Sequence, residues 1–535
     1  METGLSLRNV IDFYTPVNRK SSLKTRCNTM ALTKLFIASA LITAVLAVLQ
    51  QSVSLDGDAL QTCAVLEFQL PGRVSFRGSD GYQSQTESYW ATNQGELLSA
   101  CHVTPRDSTD LQKVMFLIYH TGSSFAIKSG GHSVVANTSN VDDDVVIDLE
   151  LLNHVTVQAD QMIVDVGTGA RWKDVYQKLE GMNYGIAGAR AGSVGVGGYL
   201  LGGGLSPFSG IVGWACDGIA LLEVVLANGT ILEVDHNNDP DLLMALKGGG
   251  SNFGIISRAR LELVKTSNKL DVAFIQYQML DVMHVVRAIT EYNHLAAQDP
   301  EAAVSVSVGG RFNEPPTISA VLSHRQGVLD SKVLQPFFDV THYLVRHERL
   351  SQLELSQIYD DMNPKGFRQH RTTATIHNDE KSLVGIVQSY VFDLDPKLGN
   401  LGEANMRGGL LIQPLTYPHL HHGSLAASNM LGLQKEPSPL LLLSAETRYS
   451  NSCSDSFVHQ SLTDFMNGAH EYAAENNASH RFRYLNYASA DQIPFEHVQQ
   501  NQELWSEVQA AKQKYDPHNV FGKQMRHPFK VQHLV

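Results

Sequence analysis

The sequence predicts an α+β fold in two domains, and three observations support this. A chain of 535 residues with 43% hydrophobic residues is long enough for two domains. Glycine is concentrated between about 165 and 255 and thins out from about 270. Beyond that point, strand patterns alternate with helical stretches, which is typical of an antiparallel sheet covered by helices.

The most informative stretch of the first domain runs from Phe125 to Asp148. Its two ends, Ala126-Ile127 and Val145-Val146-Ile147, predict buried strands. The residues after the first strand are Lys128, Ser129, Gly130, Gly131, His132 and Ser133. Paired glycines allow positive φ, so successive N–H groups can form an anion-binding nest suited to a pyrophosphate, with His132 at its rim. The alternative is a strand–turn–strand with a surface histidine, and these residues alone leave both open.

Periodicity and turn signals predict the other elements. Apolar spacing predicts a helix over 109–119, capped by Ser108 or Thr109, and Asn228-Gly229 predicts a type I′ hairpin turn. Further helices are predicted over 172–179, 239–246, 278–297, 329–346 and 505–514, and further strands over 162–166, 219–226, 230–234, 255–263, 304–308, 318–322, 410–412 and 440–444.

A second glycine centre lies between Gly185 and Gly204. Such a segment predicts a tight backbone path against a flat or elongated ligand. Its Gly195-Val196-Gly197-Gly198 run does not indicate a Rossmann fold, because the strand–turn–helix context is missing. The following Tyr199-Leu200-Leu201 and three more glycines are not expected to start a helix.

Two clusters of side chains outside these loops could carry chemistry. His419, His421 and His422 are close in sequence, but a loop next to a proline predicts solvent-facing histidines, and no metal site is expected. Tyr484 and Tyr487 are spaced so that they could share one side of a helical turn, and the simplest interpretation is a packed aromatic pair.

The net charge limits the possible binding partners, and the N-terminal segment indicates where the protein is located. A net charge of −13 without a basic run in the body of the chain argues against nucleic acid. A basic segment over 1–34 precedes 35–55, which carry no charge, and Ser52-Val53-Ser54 resembles a cleavage site. This pattern predicts a signal peptide and secretion, with Met30 as an alternative start. An uncleaved membrane anchor over 35–55 is the competing interpretation.

Entry into the secretory route would permit disulfides. Of the four cysteines beyond the leader, Cys63 and Cys101 flank one segment and are the favoured pair. Closing a loop of about forty residues would contribute roughly 3–4 kcal/mol. Cys216 lies in an apolar run and is predicted to be a buried thiol, and Cys453 is left over. Asn137, Asn228 and Asn477 are candidate glycosylation sites.

Taken in order, several motifs match one family. They are Tyr89-Trp90, IKSGGHS at 127–133, VIDL at 146–149, VGTGARWKDVY at 166–176, SVGVGGYLLGGG from 193, ALKGGGSNFGII at 245–256, YLNY at 484–487 and KYDPHNVF at 514–521. With these motifs the chain resembles the berberine bridge enzyme-like branch of the vanillyl-alcohol oxidase and p-cresol methylhydroxylase-type flavoproteins, especially its fungal members. The resemblance covers nearly all of the chain beyond the leader.

The resemblance implies a domain plan and an FAD site. After a leader over 1–54, an FAD-binding domain of two small α+β subdomains would occupy 55–269, with its core at 98–269. A substrate domain with an antiparallel sheet covered by helices would follow over 270–480, and 481–535 would return to the FAD-binding domain. His132 would be joined covalently to the 8α carbon of the flavin. Further FAD contacts would come from Lys128, Ser129, Gly130, Gly131, Ser133, Ser193, Val194, Gly197, Gly198, Gly249, Asn252 and Ile256.

The resemblance also implies the chemistry. Some family members have a second covalent link through a cysteine, but this chain has Ala191 at that place, so a single link is expected. Tyr487 is the first candidate for the base and Tyr484 the second, with Asn486 in support; an ordinary tyrosine pKa near 10 would have to be lowered. A base on the substrate sheet is an equal alternative, although Gln413, which lies there, cannot take a proton as a carboxylate would.

We therefore expect a monomeric oxidase that acts on a small organic metabolite. A hydride would pass from the substrate to flavin N5, and oxygen would reoxidise the flavin to give hydrogen peroxide. Three alternatives stay open: a flavin-holding binding protein without turnover, a carbohydrate oxidase of the same family, and an enzyme that uses another electron acceptor. The substrate cannot be named from the sequence.

Overall fold

The structure is a computed structural model that describes residues 58–312, 314–422 and 429–531. The predicted leader over 1–54 and the apolar segment 35–55 therefore lie outside the described residues. Within the described ranges, no helix has the length and apolar character needed to cross a bilayer.

The strands up to residue 265 form three sheets. The first contains β1 (Val74–Phe76), β2 (Cys101–Val103), β3 (Phe125–Lys128) and β4 (Val145–Asp148) in the order β1-β2-β4-β3. The second contains β5 (Val155–Gln158), β6 (Ile163–Gly167), β8 (Ile219–Val225), β9 (Ile231–Val234) and β10 (Ile255–Glu262) in the order β5-β6-β10-β8-β9. The third pairs β7 (Tyr184–Gly185) with β11 (Val264–Lys265).

The pairing of strands β3 and β4 shows whether residues 125–148 form a simple strand–turn–strand. They are adjacent and parallel, with Ile127 opposite Ile147. Parallel neighbours cannot be joined by a tight hairpin, so the chain between them must cross from one strand end to the other. The simple strand–turn–strand interpretation is therefore wrong, and the glycine loop lies at the end of a buried strand.

The strands beyond residue 269 form one antiparallel sheet of eight. They are β12 (Leu270–Tyr277), β13 (Ala302–Arg311), β14 (Thr317–His324), β15 (Leu344–Leu350), β16 (Arg368–His377), β17 (Arg407–Leu415), β18 (Leu440–Tyr449) and β19 (Ser479–His480). Their order is β15-β12-β14-β13-β17-β18-β16-β19. The predicted antiparallel sheet covered by helices is confirmed.

The helices complete both regions. In the first they are α1 (Ala59–Gln69), α2 (Asp80–Glu87), α3 (Thr92–Gly95), α4 (Ser108–Thr121), α5 (Trp172–Leu179), α6 (Val196–Leu201), α7 (Ser209–Val212) and α8 (Pro240–Leu246). Beyond these lie α9 (Val282–Leu295), α10 (Gln335–Asp339), α11 (Gln352–Met362), α12 (Glu380–Ser389), α13 (Asp395–Gly399), α14 (Tyr417–Leu420), α15 (Asp455–Glu475), α16 (Glu496–Gln500), α17 (Gln502–Tyr515) and α18 (Val520–Lys523). Buried side chains of α9, α12 and α15 share one apolar cluster with one face of the eight-stranded sheet.

The structure corrects the predicted helix over 329–346. Only α10 is helical there, and residues from 344 onward form β15. This strand pairs with β12 along one side only, at the edge of the sheet. Its Arg346, His347, Glu348 and Arg349 are polar, so it lacks the alternating apolar pattern by which strands are recognised.

Three local predictions are also corrected. The cap of α4 is Asp107, which accepts from the Asp110 amide at 2.8 Å, rather than Ser108 or Thr109. Of the residues in the β8–β9 loop, Gly229 alone has a positive φ, +84°. The turn is therefore not type I′ but the three-residue form that ends in a bulged glycine. Finally, residues Val196–Leu201 do form a short helix, because Leu200 and Leu201 are buried in the core.

The cysteine predictions are confirmed. Cys63 and Cys101 form a disulfide with a Cα–Cα distance of 6.1 Å, while Cys216 is a buried free thiol and Cys453 an exposed one. The bond joins α1 to β2 of the sheet that ends at the glycine loop.

We predict that replacing both Cys63 and Cys101 by Ala lowers the free energy of unfolding by about 3–4 kcal/mol, because the bond closes a loop with a sequence separation of 38. Denaturant unfolding monitored by tryptophan fluorescence would measure this. The exposed Cys453→Ala serves as the matched control, and an equally small effect of both changes would contradict the prediction.

Candidate functional site

A cavity of about 660 Å³ lies between the glycine loops, the eight-stranded sheet and the C-terminal segment. Loops contribute its polar floor, the sheet contributes serines and arginines, and Met525, His527 and Phe529 line it from the C-terminal segment. This size lies within the range of cavities that hold cofactors and small molecules.

The loop after β3 supplies free backbone donors. Within the described part of the chain, none of the four amides from Gly130 to Ser133 donates a hydrogen bond to another protein group. Gly131 has φ +66°, which turns the backbone so that successive N–H groups can converge. Buried amides without partners are costly, so this loop is arranged to bind an anionic group.

The two glycine bends touch each other. A Cβ on Gly130 would lie 2.3 Å from the Gly195 nitrogen, so no larger residue fits there. The Ser129 hydroxyl fastens the contact, because it donates to the Thr168 carbonyl at 2.6 Å and accepts from the Gly197 amide at 3.2 Å. The predicted tight path is therefore a backbone-to-backbone contact.

A buried ion pair supports the loop from below. Lys128 Nζ lies 2.6 Å from Asp148 Oδ2, and both side chains are excluded from solvent. Burial raises the pKa of Asp148, but Lys128 and His102 outweigh this and leave that pKa below its ordinary value. Lys128 thus neutralises Asp148 rather than reaching into the cavity.

His132 is held from two sides. Its ring stacks on Trp90 at 4.5 Å, and its Nε2 lies 2.8 Å from the Ser193 hydroxyl. That hydroxyl lies 2.5 Å from Asp360 Oδ1, which also accepts from the Ser193 amide. Burial lowers the pKa of His132 to about 3, and nearby Arg171 and Arg371 act in the same direction, so the ring is neutral at physiological pH.

This chain of bonds fixes the histidine tautomer. An ionised carboxylate can only accept, so the Ser193 hydroxyl donates to Asp360 and must accept from His132. The proton of the neutral imidazole is therefore on Nε2, which leaves Nδ1 with its lone pair. Nδ1 is the nucleophilic nitrogen of this ring.

Tyr484 immediately precedes and Tyr487 ends a short helical turn over Leu485–Tyr487, and their rings contact edge to face at 4.8 Å. Tyr484 is buried; its hydroxyl oxygen accepts from the Gly204 amide at 3.0 Å and the Asn486 amide nitrogen at 3.1 Å. Burial raises the pKa of Tyr484, which is the opposite of what a base requires.

Tyr487 has a different environment. Arg190 donates to its hydroxyl oxygen at 2.9 Å, and the Arg371 guanidinium lies over its ring at 4.7 Å. Arg371 is itself paired with Glu446 at 2.6 Å. Gln413 accepts from Arg190 at 3.3 Å and so orients that cation.

The cavity brings together most of the predicted site residues. Its walls include Ser129, Gly130, Gly131, His132, Ser133, Val194, Gly197, Gly198, Ile256, Tyr484, Asn486 and Tyr487. Four others lie behind the wall: Lys128, Ser193, Gly249 and Asn252. Asn252 donates to the carbonyls of Gly249 and Phe529, so it joins the three glycines at 248–250 to the C-terminal segment.

Sequence reasoning missed several residues that face the cavity or hold it. Trp90 belongs to the Tyr89-Trp90 motif, and Arg190 stands directly before Ala191, so both were within reach. Asp360 and Arg371 carried no local signal, because their roles depend on strands and helices that meet only in the fold.

The prediction of solvent-facing histidines holds for His422, which is exposed, and is wrong for His419. His419 is not solvent-facing; it lies in α14, is 2% exposed and packs on Trp214 at 4.4 Å. The helical turn opened by Thr416 directs this side chain inward, and burial lowers its pKa to about 3.

Comparison with known proteins identifies the family to which the chain is related. Residues 99–235 match the family described as FAD binding domain. The FAD-dependent monooxygenase tpcD of Cochliobolus heterostrophus is 32% identical over 446 residues, which cover 81% of this chain and 85% of that protein. The FAD-dependent monooxygenase FUP4 of Fusarium proliferatum is also 32% identical, over 81% of this chain and 85% of that protein.

Solved structures share the fold. The xylooligosaccharide oxidase of Myceliophthora thermophila, determined with xylobiose, superposes with a TM-score of 0.70 at 20% identity, over 89% of this chain and all of that one. A single-residue variant of berberine bridge enzyme gives a TM-score of 0.69 at 17% identity, over 88% of this chain and all of that one.

The residues present fit FAD. The free amides from Gly130 to Ser133 suit a pyrophosphate, and the cavity extends from them past His132 to Tyr487. The buried Nε2 of His527 has no protein partner among the described residues and lines the same cavity. FAD is the cofactor of this site.

We predict that Lys128→Met lowers the free energy of unfolding by about 3–5 kcal/mol, because it leaves Asp148 buried and unpaired. The double change Lys128→Met with Asp148→Asn should restore most of this loss. Thermal and denaturant unfolding would measure both.

Lys269→Met is the matched control, since Lys269 pairs with Glu354 at the surface and such pairs contribute less than about 1 kcal/mol. A loss for Lys128→Met no larger than that of the control would contradict the prediction.

Proposed function

This chain belongs to the berberine bridge enzyme-like family of FAD-dependent oxidoreductases, and from that premise we propose that it oxidises a small organic metabolite by hydride removal. The observation that carries the proposal is a single cavity that joins an anion-binding loop, a neutral His132 and a cation-flanked Tyr487. When bound, FAD supplies the acceptor for the hydride, and oxygen reoxidises it with formation of hydrogen peroxide.

The protein binds the cofactor through backbone donors and one side chain. The amides of Gly130 to Ser133 would hold the pyrophosphate, because they have no partner in the protein among the described residues. His132 would hold the flavin covalently through Nδ1, since Nε2 is engaged by Ser193. Ala191, which lines the cavity, offers no sulfur for a second link.

Tyr487 serves as the base in its tyrosinate form: the oxygen takes the substrate proton as the hydride leaves and becomes the neutral hydroxyl. Arg190 donates to this oxygen at 2.9 Å and so compensates its negative charge before the transfer. Arg371 adds a second cation over the ring. Tyr484 holds Asn486 and the glycine turn in place, and its burial argues against a role as base.

A second candidate function is oxygen insertion. The curated relatives tpcD and FUP4 are named monooxygenases, and such an enzyme places one atom of oxygen in its product. An oxidase releases both atoms as hydrogen peroxide. The carbohydrate oxidase alternative is weaker, because its support is a likeness of fold at 20% identity.

We propose the secretory route for this protein. Asn137, Asn228 and Asn477 are all exposed and so accessible to glycosylation, and the Cys63–Cys101 disulfide suits an oxidising compartment. Loss of mass on deglycosylation of the native protein would test this, and an unmodified protein retained inside the cell would argue against it.

We expect the flavin to stay with the chain after acid precipitation and to leave it in His132→Ala. Ser193→Ala and Asp360→Asn should slow covalent attachment by roughly tenfold, because they release the tautomer that exposes Nδ1. Mass spectrometry of the intact chain during incubation with FAD measures the attached fraction directly.

Asp361→Asn is the matched control, since Asp361 is the exposed neighbour of Asp360 on α11. A flavin that dissociates from the unaltered protein would overturn the covalent link, and equal attachment in all variants would overturn the role of Asp360.

We expect Tyr487→Phe to slow anaerobic flavin reduction by about 10²- to 10⁴-fold, the range for loss of a general base. The substrate would come from a metabolite screen for flavin bleaching. Tyr417→Phe, an exposed tyrosine outside the cavity, should react at the unaltered rate.

The reaction product distinguishes the two candidate functions. Oxidation predicts equal amounts of hydrogen peroxide and product, with no oxygen atom from O₂ in the product. Isotope from labelled O₂ in the product would favour the monooxygenase, and an absence of bleaching across the screen would favour a binding protein.

A further inference from the structure

A row of cationic side chains crosses the sheet at one end of the cavity. Arg311 of β13 pairs with Arg407 of β17, which pairs with Arg448 of β18, and Arg448 pairs with Gln369 of β16. These four residues occupy equivalent register positions on four consecutive strands. Like charges directly opposite each other destabilise a sheet, so such a row needs a compensating reason.

The row has little internal compensation. Among the described residues, neither Arg407 nor Arg448 forms an ion pair, and Arg311 reaches Glu314 only at 3.7 Å. Burial lowers the pKa of Arg448, and Arg407 and Arg311 lower it further. In a chain of net charge −13, an uncompensated positive row is a specific local feature.

Several buried donors beside this row lack an acceptor. Gln369 Nε2, Arg371 Nε and Arg448 Nε are each shielded from solvent and have no partner among the described residues. All three residues line the cavity. Each of these nitrogens can only donate, so the missing partner is a group that supplies acceptor oxygens.

Two residues further along these strands, on the same face of the sheet, the cavity has space for a flat body. Gly409 lies opposite Glu446, and both line the cavity next to Arg371. A Cβ on Gly409 would meet only the Val308 carbonyl, at 3.5 Å, so the backbone tolerates a side chain there. Glycine at this place therefore leaves room in the cavity rather than relieving strain.

We propose that the substrate is a planar ring compound bearing an ionised carboxylate, which Arg407 and Arg448 bind while the ring lies over Gly409. This assignment of the substrate class rests on the proposed function. A guanidinium binds a carboxylate through two parallel hydrogen bonds. Arg448 Nη1 already donates to the Met362 carbonyl at 2.9 Å, so the unpaired Nε and its neighbour Nη2 are the nitrogens left for the carboxylate. Gln369 supplies a further neutral donor to the same end of the cavity.

The test compares 2-naphthoate with its methyl ester, which has the same ring but no charge. Binding to the FAD-loaded protein is followed by the shift of the visible flavin absorption. We expect the acid to bind at least about tenfold more tightly than the ester, with a preference that falls as salt is added. The double change Arg407→Ala with Arg448→Ala should abolish this preference while FAD content stays the same.

Two further variants complete the design. Arg346→Ala removes an exposed arginine of edge strand β15 outside the cavity, and the preference should persist. Gly409→Val should exclude both probes, because it fills the space over the sheet. Equal affinity for acid and ester, binding of neither, or loss of FAD from the double variant would each overturn the proposal.

Failure of the proposed function would look different. If the acid binds preferentially but no metabolite reduces the flavin, the carboxylate site stands and oxidation does not. If a neutral metabolite is oxidised while the acid shows no preference, oxidation stands and the carboxylate site does not.

Discussion

The contact between the two glycine bends is the constraint on which the site depends. A Cβ on Gly195 would lie 2.1 Å from the Gly130 nitrogen, and one on Gly130 would lie 2.3 Å from the Gly195 nitrogen. Neither position can carry a side chain without moving backbone. Because Ser129 bonds to both Thr168 and Gly197, the sheet of β3 and the sheet of β6 are joined at the place where the free amides begin.

The orientation of His132, which follows β3, depends on contacts with helix α11, which lies beyond residue 350. Its ring rests on Trp90, whose indole nitrogen donates to the Asn363 carbonyl just beyond α11. The same helix presents Asp360, which orders Ser193 and through it the imidazole. The C-terminal segment is held by Asn252, which donates to the Phe529 carbonyl and accepts from the Val531 amide, while the Asn252 carbonyl accepts from Lys512.

The glycine loops could be located from the sequence, whereas the side chains that distant helices and strands bring to them could not. Glycine pairs and β-branched strands are local signals, so the nest after β3 and the strands of the large sheet could be located from them. Edge strand β15 does not show itself as a strand, because its central residues are charged or polar on both faces. Asp360 and Arg371 could not be found, since their partners lie far away in sequence. The strand register brings Arg371 to Glu446, and the packing of helix α11 brings Asp360 to Ser193.

The YLNY motif shows why the same residue type needs its environment before a role can be assigned. Tyr484 and Tyr487 are three positions apart and their rings touch, yet one hydroxyl is surrounded by neutral donors and the other by a cation. The oxygen of Tyr484 is enclosed by neutral amide donors in a buried pocket, where burial raises its pKa. The oxygen of Tyr487 meets the charge of Arg190, and Gln413 holds that arginine from the sheet. Tyr487 therefore has cationic surroundings that Tyr484 lacks, and it is the tyrosine for which we propose the role of base.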